Sequence, residues 1–292
     1  MRHPVRLTAV IAATVLALGA CGGADKTDPA GTSAKPKSYG DCQVTGTRGS
    51  HPLETATKNT LLIKADLPSP GWYNGDTVEQ IRSGFDFCLA ANIAHRAGLD
   101  NVRLVNASFD ALVAGKAGDF DLSLNQITIT DERRKVMDFS DPYFDSTAGI
   151  LVKKGANVTE ANLRTVSFGV KQGTVGQILA TEAIKPAEIK PFPGDPELQA
   201  AVAAGRVDVG IQDLSIVLGA AAKSGGKLAV VGQLSTDESY GVMMTKGSPN
   251  LTTINTILKE LKDDGTMDAL SAAYLTDAYG IDPATVPIWK IG

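Results

Sequence analysis

Leu61-Leu62-Ile63-Lys64-Ala65 is a short apolar run that ends at Asp66-Leu67-Pro68-Ser69-Pro70-Gly71. An apolar run of this length, closed by turn formers, predicts a buried strand entering a loop. Downstream, Phe85, Cys88, Leu89 and Ile93 are spaced for one buried face of a helix over 85–97, and Gly98 supplies a stop. Residues 102–105 predict a second strand, 109–114 a short helix and 121–124 a third strand. This β-α-β-α-β order specifies a parallel sheet flanked by helices.

The order then recurs. Val166-Ser167-Phe168-Gly169-Val170 reads as a strand entering Lys171-Gln172-Gly173-Thr174, followed by a helix over 175–183. A Pro-punctuated stretch runs to Pro196, and a helix over 198–204 precedes a strand over 207–211. Gly118-Asp119-Phe120-Asp121-Leu122 has an echo in Gly205-Arg206-Val207-Asp208-Val209, which suggests two similar lobes. Near the end, Leu251, Ile254, Leu258 and Leu261 keep the helical period up to Gly265, and Met267, Leu270 and Tyr274 continue it on a second helix. Residues 282–292 form a Pro-containing tail.

The 292 residues suit one large domain or two of about 100 residues each. Lys and Arg number 28 against 32 Asp and Glu, a formal charge of −4, and no long basic cluster occurs, which argues against a nucleic-acid partner. Aromatic residues make up 5%, too few for a base-stacking platform. Of three histidines, His3 and His51 fall in segments expected to lie outside the domain, leaving His95 in a predicted helix. No metal-ligand spacing and no nucleophile with an identifiable base stands out, so neither metal nor cofactor is expected.

The N-terminus reads as an address. Arg2 and Arg6 precede the apolar stretch 7–18, which falls short of the roughly 20 residues that span a bilayer but matches a secretory signal peptide. Leu18-Gly19-Ala20-Cys21 resembles the bacterial lipobox, which implies lipid attachment at Cys21 and cleavage before it. Residues 22–38, rich in Gly, Ala, Thr, Pro, Lys and Asp, read as a flexible stalk. Cys42 and Cys88 remain, and an even pair in an exported protein suggests a disulfide, with two separate thiols as the alternative.

In open α/β sheets ligands bind at the carboxyl ends of strands. The polar residues at those ends are Asp66, Asn125, Gln126, Thr128, Lys171, Thr174 and Asp213, with Arg133 just beyond. A planar cation, carboxylates, amides and hydroxyls suit capture of a small zwitterion. Burying its ammonium and carboxylate costs several kcal/mol each, which charge-assisted hydrogen bonds must offset. Arg presents a fork matched to a carboxylate, and Asp an acceptor for an ammonium.

Ile127-Thr128-Ile129-Thr130-Asp131-Glu132-Arg133-Arg134-Lys135, followed by Met137-Asp138-Phe139-Ser140-Asp141-Pro142-Tyr143, closely resembles the family 3 extracellular solute-binding proteins, the polar amino acid receptors of ABC importers. Ser83-Gly84-Phe85-Asp86, Val170-Lys171-Gln172-Gly173-Thr174, Gly205–Asp213 and Tyr240-Gly241 also fall where that family has them. The resemblance implies a periplasmic-binding-protein-like fold of type II, two α/β lobes joined by a two-strand hinge. It places lobe one at 58–146 plus 241–279 and lobe two at 147–240, after a signal peptide (1–20) and a lipid-anchored linker (21–57), with a tail at 280–292. It implies that Arg133 clamps a ligand carboxylate, Asp213 takes its ammonium, Thr128 and Gln126 line its main-chain end, Thr174 sits in a loop whose amides hold the carboxylate, and Asp66 meets its side chain. Cys88 departs from the family, where an acidic residue follows Gly-Phe-Asp, and Asn125-Gln126 replaces a small pair. Pro68, Ser69 and Pro70 stand where members often place an aromatic, so Trp72 or Tyr73 either substitutes for it or packs in the loop.

The expectation is therefore a monomeric lipoprotein receptor, not an enzyme, exported and anchored by lipid to the outer face of the cytoplasmic membrane. It would capture a polar amino acid and deliver it to ABC permease subunits. Two rivals share the fold: a prephenate or arogenate dehydratase, in which Asp66 would be the acid, and a sensor that signals through its closed state.

Overall fold

The computed structural model describes residues 39–290; the expected signal peptide, Cys21 and stalk 22–38 lie outside the described residues. The first lobe opens with β1 (Thr60–Ala65), α1 (Phe85–Arg96), β2 (Asn101–Asn106), α2 (Phe109–Val113), α3 (Asp131–Val136) and β3 (Met137–Phe139). The chain crosses on β4 (Phe144–Lys153) into a second lobe of β5 (Ser167–Lys171), α4 (Val175–Ile178), β6 (Glu188–Phe192), α5 (Asp195–Ala203), β7 (Val209–Asp213) and α6 (Leu214–Lys223). It returns on β8 (Leu228–Tyr240) to β9 (Met243–Thr245), α7 (Leu251–Asp263) and α8 (Thr266–Ser271), and ends in β10 (Ile288–Trp289).

In lobe one, Leu61, Ile63 and Ala65 alternate into the core, and β1 pairs in parallel with β2. The expected third strand shrinks to bridges at Leu122, beside Ile63, and Ser123, beside Met243. Its first residue explains the difference. The Asp121 carboxylate accepts from Leu62 N at 2.7 Å and Ala56 N at 2.9 Å, so a side chain stands in for part of the ladder. Strand β9 pairs antiparallel with β3 in a separate two-stranded sheet.

Helix α1 is buried on every residue except His95, more than its sequence pattern predicts. The reason is the segment before the lobe. Residues 39–57, assigned by sequence to the linker, pack on α1 instead. Tyr39 is buried and donates to Leu99 O, Thr45 N donates to Asn92 Oδ1 at 2.9 Å, and Leu53 joins the same core. Cys42 and Cys88 are joined in a disulfide. Gly84 starts the helix at φ 120°, where a Cβ would lie 2.3 Å from Trp72 O.

Lobe two carries a six-stranded sheet in the order β10-β8-β4-β7-β5-β6. Strands β5 and β7 are parallel, as β1 is to Leu122, so the echoing segments occupy equivalent places in the two sheets. Strand β6 arises from the Pro-punctuated stretch; Pro191 is tolerated because β6 is an edge strand. The helix expected over 198–204 begins earlier, at Asp195, with Pro196 in its first turn. The helix expected over 175–183 is α4 continued by π-type turns through Ile184.

Strands β4 and β8 form the hinge. They pair from Phe144 and Tyr240 in the first lobe to Lys153 and Leu228 in the second, with a register shift between Ser146 and Ala148. The tail makes a further crossing: Val286 and Trp289 pack into the second lobe, and β10 pairs in parallel with β8. Its seat is Gly232, where any Cβ would collide with the Trp289 ring at 2.4 Å.

Candidate functional site

Arg133 is positioned by a helix start. Thr130 caps α3 by accepting from Arg133 N at 3.2 Å, with Asp131 and Glu132 favourably placed in the first turn. The guanidinium therefore turns back toward the strand ends, donating to Thr128 O at 2.5 Å and across the cleft to Gly173 O at 2.9 Å. It is buried and lies 5.4 Å above the Phe109 ring centroid. Burial lowers it to about 10 while Asp213 and Glu238 pull it up, so it stays cationic at neutral pH.

From the other lobe, Asp213 ends β7 and reaches the same cleft. Tyr240 Oη donates to its Oδ2 at 2.6 Å, and Ser146 and Ser215 lie 3.0 and 3.3 Å from that hydroxyl. Burial and the neighbouring Glu238 lift Asp213 to about 7, against the pull of Tyr240 and Arg133. Burial also raises Glu238, whose Oε2 accepts from Thr128 Oγ1 at 3.3 Å. Two carboxylates so close resist simultaneous ionisation, and an added ammonium would relieve both.

At the far end stands Lys171, which is buried 2.6 Å from Asp66 of lobe one and 2.8 Å from Asp195 of its own lobe. Burial disfavours its charge, but Asp195 and Asp66 outweigh that and raise its pKa. Asp66 moves up too, because burial exceeds the opposing attraction of Lys171. Gln212 donates to the second oxygen of Asp195 at 3.0 Å, and Lys171 Nζ lies 5.0 Å from the Phe109 ring centroid.

All eight residues expected to contact ligand line this one cleft. Several are already engaged. Asn125 Oδ1 accepts from Asp66 N at 3.1 Å. Gln126, at φ 49°, bonds Ser69 and the buried Asp86. Thr174 caps α4 by accepting from Gln177 N at 3.2 Å. Burial, partly offset by hydrogen bonds from Gln126 and Tyr143, lifts Asp86 to about 7. Trp72 and Tyr73 do not furnish the aromatic wall. Trp72 packs against Phe85, Phe144 and Tyr240, and Tyr73 Oη donates to Leu124 O at 2.6 Å. Phe109 takes that place, from the first residue of α2.

Sequence reasoning missed Phe109, Asp195, Glu238 and Tyr240. Asp195 had a usable signal, a helix start just after a strand, concealed by leaving the Pro-punctuated stretch to Pro196 without a strand or helix start. Tyr240 fell within a family-matching pair, Tyr240-Gly241, but nothing there pointed to its contact with Asp213, and Glu238 had no signal, because their partners lie on distant segments. Among the described residues no group of His, Cys, Asp and Glu could hold a metal ion, and no helix is long and apolar enough to cross a membrane. The closed cleft encloses about 20 Å³, room for about one water, so the lobes must part to admit a larger molecule.

The model of the bacterial extracellular solute-binding proteins, family 3, matches residues 63–277. The L-cystine-binding protein TcyJ of Escherichia coli (strain K12) is 30% identical over 220 residues, covering 73% of this chain and 82% of its own. A crystal structure of a mutant of ArgBP from T. maritima has a TM-score of 0.66 at 30% identity, covering 74% of this chain and 95% of that one. The ancestral amino acid-binding protein AncCDT-1, described as a precursor of cyclohexadienyl dehydratase, has a TM-score of 0.65 at 31% identity, covering 75% and 96%.

Proposed function

The chain belongs to the family 3 bacterial extracellular solute-binding proteins, and on that premise we propose that it captures a polar amino acid between its lobes and delivers it to an ABC permease. The observation that carries this reading is the convergence of Arg133 from lobe one and Asp213 from lobe two on one buried cleft. Arg133 would exchange its carbonyl acceptors for the ligand carboxylate, and Asp213, with Glu238 behind it, would accept the ammonium. Asp66, Asn125, Lys171 and Asp195 would meet the side chain, so a polar one is favoured over a purely apolar one. Thr128, Gln126 and the Gly173-Thr174 loop would complete the main-chain end. A ligand that touches both lobes favours their closure by its differential affinity for the closed state.

In the same proposal, residues 1–20 direct export, Cys21 carries the lipid, and residues 22–38 tether a monomeric receptor to the outer face of the cytoplasmic membrane. The cleft is read as a binding site rather than an active site, because Asp66, the candidate acid of a dehydratase, is committed to Lys171 at 2.6 Å. The similarity to AncCDT-1 makes turnover worth measuring, and conversion of prephenate or arogenate would displace the receptor reading.

A thermal-shift screen against the twenty amino acids tests the proposal, because a ligand that binds only the native state raises its stability. A clear shift with one or a few of Gln, Glu, Asn, Arg, Lys, His or cystine, added as a further candidate, is expected. No shift with any of them would overturn it.

A further inference from the structure

A second cavity, of about 600 Å³, lies beside the hinge and shares no lining residue with the interlobe cleft. It is walled by the start of β4, the hinge end of β8 and the first turn of α6, and completed by Tyr279 and by Pro283 and Ala284 of the tail. Its volume falls within the range of small-molecule sites. Phe144, Leu214, Tyr279 and Pro283 supply an apolar wall. Among the described residues its charged lining is Asp145 and Glu238, with no Lys, Arg or His.

Buried polar atoms converge there. Thr236 Oγ1, Glu238 Oε1 and Tyr279 Oη are buried and lack a well-formed hydrogen-bond partner, although Thr236 neighbours the Glu238 carboxylate and Ser215 neighbours Tyr279. Glu238 is only 9% exposed, and its other oxygen is taken by Thr128. The Glu238 carboxylate keeps acceptor capacity on the cavity side for a donor beyond Thr128 and Thr236. Ser146 and Ser215, which flank the Tyr240 hydroxyl that holds Asp213, also line the cavity. The cavity therefore sits directly behind the groups that shape the cleft.

We propose that this cavity is a second small-molecule site, selective for an organic cation that carries an ammonium on an apolar body. The ammonium would donate to Glu238 and face Asp145, which offsets its desolvation. The body would lie against the Phe144 and Tyr279 rings, where a cation also gains from the aromatic faces. An anion would meet two carboxylates and no counter-charge.

Isothermal titration of the full chain with 2-phenylethylammonium, and with 3-phenylpropanoate as its anionic counterpart, tests the site. The ammonium is expected to bind saturably, and the anion not to bind. Asp145→Asn and the cavity-filling Ala284→Trp should each weaken the ammonium at least about tenfold, the energetic equivalent of losing one good charged contact. If Ala284→Trp does not fold, Asp145→Asn decides. Absence of saturable binding, which would mean a cavity filled by water only, overturns the proposal. So does equal binding of the anion, or unchanged affinity in Asp145→Asn, which would put the probe elsewhere. None of these outcomes depends on which amino acid the cleft takes.

Discussion

Lys171 of the second lobe holds Asp66 of the first at 2.6 Å, an ion pair that spans the cleft while Asp195 supports it at 2.8 Å from the lysine's own side. The cation thus occupies the space between the carboxylates, where a basic ligand side chain would otherwise be attracted. Breaking such a buried pair from one side leaves uncompensated charge, here two carboxylates.

Replacing Lys171 with Met should therefore shift preference toward basic amino acids. The expected change is at least about tenfold in the ratio of Arg or Lys to Gln affinity, equivalent to about 1.4 kcal/mol. Titration calorimetry across that panel measures it, and an unchanged ratio would show that Lys171 does not set selectivity.

Arg133→Ala should lose about 3 kcal/mol of ligand affinity, or roughly 100-fold, because it removes a buried, positively charged fork. Arg133→Lys should recover only part of this, since an ammonium keeps the charge without the bidentate geometry. Unaltered affinity in the alanine variant would displace Arg133 from its assigned place.

Ligand binding should release protons on the acid side of neutrality. Asp213 titrates at about 7, and an ammonium beside it would lower that value. Affinity should rise with pH up to about 7 and then level. Calorimetry in buffers of different ionisation enthalpy counts the protons at pH 6, and Asp213→Asn should weaken binding and abolish the release.

The buried acids also set the pH dependence of stability. Asp86 and Asp213, lifted to about 7 by burial, keep their protons in the fold over a range where the unfolded chain ionises, from about pH 4 upward. The stability tied to those protons is full below about pH 4 and is lost as pH rises through about 7. Melting curves should show a decline between about pH 4 and 7 from these groups, levelling above, and Asp86→Asn should reduce it. An identical decline in the variant would count against Asp86.

Reducing the disulfide should cost about 2–4 kcal/mol, because the cross-link closes a loop of 46 residues' separation in the unfolded chain. The same bond ties 39–57 to α1, so loss of protection in that segment by hydrogen exchange should accompany the fall in stability.

What could be read from the linear chain was its local order. Apolar runs, periodic faces and Gly or Pro stops locate β1, α1, β5 and α7, since each depends on side chains a few positions apart. The stretch from Ile127 to Tyr143 carries the family, and the strand-end rule brings Asp66, Arg133 and Asp213 together as candidates. Folding in three dimensions settled what depends on distant partners. It packed 39–57 onto lobe one, added the tail as β10 and reduced 121–124 to two bridges. It also assembled Asp195, Phe109, Glu238 and Tyr240 around the candidates. The physical reason is that pairing, burial and the proton affinity of a buried acid are set by groups brought close in space from segments that can lie more than a hundred residues apart, and local periodicity carries no record of them.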